Sequence, residues 1–100
     1  MMSHEIAYDF INQEISLLRR QSYSDLVARI GKCEHKEFVA TDGNRYQVET
    51  EVFWDSPGLF GFKRGADIRV LVSADGGGIS TVFPVSDSFI MAPDGSFVGE

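Results

Sequence analysis

The sequence predicts an α+β domain in which two N-terminal helices pack on one face of a four- to five-stranded antiparallel meander sheet. Two observations carry that expectation. Apolar residues recur with a period near 3.6 as far as Gly31 and with a period of 2 beyond it. The alternating runs are separated by turn-forming steps at Asp42-Gly43, Asp75-Gly76-Gly77-Gly78 and Pro93-Asp94-Gly95. No linker or internal repeat interrupts the 100 residues, so the whole chain reads as one domain.

Helix one is expected over about 4–20. Ser3 offers an N-cap, Glu5 lies near the positive end of the helix dipole, and Ile6, Ala7, Phe10, Ile11, Ile15, Leu17 and Leu18 follow at helical spacing. Arg19 and Arg20 then fall in the last turn, where cations suit the dipole. Ser22 starts a second, shorter helix over about 23–30, whose stripe of Leu26, Val27 and Ile30 ends at Gly31.

The clearest strand runs from Arg45 to Trp54. Tyr46, Val48, Thr50, Val52 and Trp54 share one face, and Arg45, Gln47, Glu49, Glu51 and Phe53 share the other. Glu37 to Ala40 precedes it as strand one, joined through a tight turn at Asp42-Gly43. Strand three starts near Asp67, with Ile68, Val70, Val72 and Ala74 on its apolar face and Arg69, Leu71 and Ser73 opposite. Strand four is expected over 79–85, and a small terminal hairpin over 89–92 and 96–98 turns at Pro-Asp-Gly.

A hydrophobic fraction of 43%, with eight Phe, three Tyr and one Trp, excludes a disordered chain. The longest apolar run, Phe89 to Ala92, is far below the roughly 20 residues of a membrane-spanning helix, so no membrane partner is expected. No secretory leader is visible at the first residues, and Cys33 is the only cysteine, so a reducing, cytoplasmic setting is the default. A net charge of −6, with basic pairs only at Arg19-Arg20 and Lys63-Arg64, argues against nucleic acid.

No catalytic constellation stands out. Cys33 and His35 are the only neighbours with metal-compatible or nucleophilic character, but a metal needs further ligands and a nucleophile needs a pocket and an oxyanion stabiliser. The plain expectation is a buried Cys33 at the helix-to-strand junction and an exposed His35, with no metal or cofactor. No Gly-x-Ser-x-Gly elbow is present, and Gly58, Gly61 and Gly65 lead into no phosphate-binding helix. Glu49 and Glu51 project from one strand face about 7 Å apart, at roughly 3.3 Å per residue. The plain reading is a solvated face whose charge keeps the protein soluble, and an acidic partner-binding face is the functional alternative; a glycosidase pair comes from separate elements around a deep cleft.

The segment 55–66 is longer than most hairpin connections and places Leu59, Phe60 and Phe62 beside Lys63 and Arg64. Those side chains either close an end of the sheet or meet another molecule.

Arg45-Tyr46-Gln47-Val48-Glu49, Asp67-Ile68-Arg69-Val70 and the run from Phe89-Ile90-Met91-Ala92 through Pro93-Asp94-Gly95-Ser96-Phe97 to Val98-Gly99-Glu100 are sheet and turn residues. Through them the chain resembles a group of small uncharacterised bacterial proteins over about 37–100. The resemblance implies an independent domain and assigns no activity.

The functional expectation is a small, non-enzymatic protein-interaction module. Its expected partner is a protein, including a second copy of itself, and its candidate contact residues are Glu49, Glu51, Leu59, Phe60, Phe62, Lys63 and Arg64. The rivals are an immunity or antitoxin-like protein neutralising a basic toxin, and a ligand-binding or hydrolytic domain with a cavity lined by Tyr8, Phe10, Tyr46 and Trp54.

Overall fold

The computed structural model describes residues 4–41, 43, 45–55, 67–76 and 85–100. Two helices, α1 (His4–Leu18) and α2 (Tyr23–Val27), precede four strands, β1 (Cys33–Val39), β2 (Arg45–Trp54), β3 (Ile68–Gly76) and β4 (Val85–Met91). The strands form one antiparallel sheet in the order β1-β2-β3-β4, the meander expected from the sequence.

Helix α1 buries a narrower stripe than the apolar residues suggest. Ala7, Ile11, Ile15 and Leu18 face the sheet, whereas Leu17 is 52% exposed. Glu14 is buried instead, because at about 100° per residue it falls between Ile11 and Leu18 on the same line down the helix. Its carboxylate is met by Lys36 of β1, whose Nζ lies 3.0 Å from Oε1. The helix ends at Leu18, so Arg19 and Arg20 lie beyond it. The reason is a tightening of the chain: Arg20 and Gln21 donate to the carbonyls of Leu17 and Leu18, three residues back.

Helix α2 is also shorter than expected. Ser22 caps it, its Oγ accepting from the Asp25 N–H at 3.1 Å, but from Arg29 onward the backbone bonds again reach three residues back and the helix ends at Val27. Gly31, at φ 86, then reverses the chain into β1.

Strands β2 and β3 form the centre. Tyr46, Val48, Thr50 and Val52 are buried alongside Ile68, Val70, Val72 and Ala74, all on the face that receives the helices. Phe10 of α1 stacks on Phe38 of β1, ring centres 4.8 Å apart, and meets Tyr46 at 5.3 Å. These rings pack between α1 and the sheet, whereas Tyr8, expected as a cavity wall, is 42% exposed.

Two strands differ from expectation. Strand β1 begins at Cys33 rather than near Glu37, because β2 offers backbone partners from Arg45 to Glu51 and no apolar alternation is required for the ladder to form. Cys33 is accordingly an exposed strand residue and not a buried junction residue. Strand β4 runs from Val85 to Met91, so Phe89, Ile90 and Met91 of the expected first hairpin arm belong to the main sheet. Of the expected strand over 79–85, residues 79–84 lie outside the described residues. The chain still folds back after β4: Ala92 donates to Ser96, Val98 donates to Ile90, and Met91 bridges Phe97 around Gly95 at φ 89.

Candidate functional site

Because successive strand residues point to opposite faces, the pairing that buries Val48 and Thr50 against the helices turns Gln47, Glu49, Glu51 and Phe53 outward. The same parity brings Cys33, His35 and Glu37 of β1, and Arg69, Leu71 and Asp75 of β3, onto that outer face. Among the described residues its side chains are exposed or half-buried.

The register decides who meets whom. Glu49 stands opposite His35 on one side and Ser73 on the other, and Glu51 stands between Cys33 and Leu71. His35 Nδ1 lies 3.6 Å from Glu49 Oε2. Donor atoms of Cys33, His35 and Glu49 all lie within 4.8 Å of one another. The sequence displays Cys33 and His35 as neighbours two residues apart, ahead of the strand expected from Glu37. It carried no signal for Glu49 as their neighbour, since that contact depends on how β1 registers against β2.

Partial desolvation, a hydrogen bond to Glu49 and the charges of Glu49 and Glu51 push the Cys33 thiol up from its ordinary value. All of these influences disfavour the thiolate form.

Toward the other end of the face, Phe53, Leu71 and Ile90 form an apolar group around Arg69. Arg69 pairs across the sheet with Phe53 and Ile90. Its Nε donates to Asp55 at 2.9 Å and its guanidinium donates to the Ser88 hydroxyl at 3.1 Å, which ties it to groups on both sides of β3. Phe53 remains 37% exposed. Alternation along the sequence puts Phe53 and Leu71 on this face, and Ile90 joins them because β4 runs on to Met91, past the strand expected over 79–85.

Of the sequence-derived contact residues, Glu49 and Glu51 are therefore neighbours on the outer face. Leu59, Phe60, Phe62, Lys63 and Arg64 lie outside the described residues. The segment that carries them leaves and rejoins the sheet at Asp55 and Asp67, where the Asp55 N–H donates to the Asp67 carbonyl at 3.0 Å.

Edge strand β1 carries Glu34, His35, Lys36 and Glu37 in succession, a charge pattern that discourages pairing with another strand. No helix among the described residues is long and apolar enough to cross a membrane. No family model matches the chain, and neither a curated protein nor a solved structure matches it.

Proposed function

We propose that the protein is a small, non-catalytic protein-interaction module that uses the outer face of its sheet to hold a partner protein with a basic surface. The observation that carries this reading is the combination on one open face of Glu37, Glu49, Glu51 and Asp75 with the apolar group Phe53, Leu71 and Ile90. Apolar side chains at the centre of a contact supply buried area. Surrounding carboxylates steer a basic partner and set its orientation.

A partner unlike this chain fits better than a second copy, because two such faces brought together oppose carboxylate to carboxylate. Leu59, Phe60, Phe62, Lys63 and Arg64, which lie outside the described residues, are proposed as further contacts on the strength of their apolar and basic sequence alone. Absence of catalysis accords with the raised Cys33 thiol and with the use of Phe10 and Tyr46 as packing groups. A free, exposed Cys33 suits a reducing, cytoplasmic compartment.

The test compares capture from the native lysate by the wild-type chain and by the double variant Glu49→Lys/Glu51→Lys. A protein retained by the wild type, released by raised salt, lost by the double variant and kept by Leu17→Ser on the helix side is the expected result. Identical capture by all three chains, or sedimentation showing that the wild type is held in a stable dimer by this face, removes the proposal.

A further inference from the structure

We propose that Cys33, His35 and Glu49 form a binding site for a zinc-class divalent cation, with one coordination position left open to water.

Sulfur, imidazole nitrogen and carboxylate oxygen together are a donor set suited to zinc, which takes all three in four-coordinate sites. Calcium and magnesium prefer shells built of oxygen, and one carboxylate beside a thiol and an imidazole does not supply one. The three side chains come from two adjacent strands and share a face by strand parity. Donors bound at 2.0–2.3 Å around a tetrahedral zinc stand roughly 3.4–3.8 Å apart. His35 Nδ1 and Glu49 Oε2 already stand 3.6 Å apart, and no pair in the trio exceeds 4.8 Å. Closing the remaining gap takes rotations of exposed side chains and moves no buried group, for Cys33 and His35 are exposed and Glu49 is half-buried.

The surroundings favour a cation. Glu51 pairs directly across from Cys33, and Glu37 follows His35 on the same strand face, so the site sits among negative charges. As the Sγ–Zn bond forms, the Cys33 proton passes to solvent, while His35 binds as neutral imidazole and Glu49 as carboxylate. Uptake therefore strengthens as pH rises.

The proposal does not rest on the partner contact, since it is read on the isolated chain. Reduced full chain is titrated with Zn²⁺ against a competing chromophoric chelator, and separately with Co²⁺ as a spectroscopic probe. Expected are saturation at one zinc per chain, no competition from Mg²⁺, and affinity lowered by about tenfold or more in each of Cys33→Ser, His35→Ala and Glu49→Gln. The Co²⁺ complex should show thiolate-to-metal charge transfer that Cys33→Ser abolishes. Zinc should also slow maleimide alkylation of Cys33 in the wild type and much less in His35→Ala. Failure to saturate at one per chain, or unchanged uptake and alkylation protection in both His35→Ala and Glu49→Gln, overturns the site.

Discussion

The guanidinium of Arg19 lies 3.9 Å from the centre of the Phe97 ring and is held there by Glu100, whose two carboxylate oxygens accept from its two terminal nitrogens. Phe97 in turn meets Phe89 of β4 edge to face at 5.7 Å. A cation just past the end of α1 thus fastens the last turn of the chain over the β4 side of the core. Burial of apolar area, ring quadrupole and paired charge act together at this one contact.

Replacing Arg19 by Ala is expected to lower unfolding free energy by about 1 kcal/mol, the sum of a modest cation–π contact and a partly solvated ion pair. Arg19→Lys should recover part of it, because the charge remains and the planar fork is lost. Urea denaturation followed by tryptophan fluorescence measures both. Equal stability of all three chains would show that the contact contributes nothing.

Glu14 and Lys36 form a different kind of pair, since one partner is buried in the helix–sheet interface and the other is half in water. Lys36→Met leaves the Glu14 carboxylate buried without its cation and should cost about 1–2 kcal/mol. Adding Glu14→Leu to Lys36→Met should restore most of that stability by removing the stranded group. A double-mutant cycle by thermal unfolding distinguishes this from two independent losses.

On the same helix, Ile11 and Leu17 separate core from surface. Ile11 is fully buried, and Ile11→Ala should cost roughly 2–4 kcal/mol through lost burial and the cavity left behind. Leu17→Ala, at a position more than half exposed, should stay within about 0.5 kcal/mol of wild type. Calorimetric midpoints of the two variants give the contrast directly.

Acid should loosen the closing turn. A hydrogen bond from Arg19 holds the Glu100 carboxyl below its ordinary range, and hydrogen bonds from the Ser96 hydroxyl and backbone do the same for Asp94. Depressed folded-state values mean that their contribution is complete above the unfolded carboxylate range, near pH 4, and is lost as pH falls through the lower folded values. Stability measured against pH should therefore decline on the acid side, and the double variant Asp94→Asn/Glu100→Gln should decline less steeply there.

Strands β2 and β3 were legible because each has one dry face and one wet face, so Tyr46, Val48, Val52 and Ile68, Val70, Val72 announce themselves by alternation. Strand β4 was misplaced because its inner row is broken by Asp87, an exposed carboxylate between Val85 and Phe89 that sits toward Arg19. The first half of β1 was invisible for a related reason. Cys33 to Glu37 carry polar groups on both faces, and only the hydrogen-bonding demand of β2 makes them a strand. Leu17 misled because helical spacing alone does not fix the width of the buried stripe. The sheet beneath α1 does.

Periodicity over a few neighbours is enough for the α+β order, the antiparallel meander and the shared face of Glu49 and Glu51. Only the tertiary structure decided that Glu49 meets His35, that Ile90 joins Phe53 and Leu71, and that Arg19 leaves its helix to cover Phe97. These depend on cross-strand register and on how the chain closes. A one-residue slip between β1 and β2 would turn Cys33 and His35 to the helix side while leaving every local pattern unchanged.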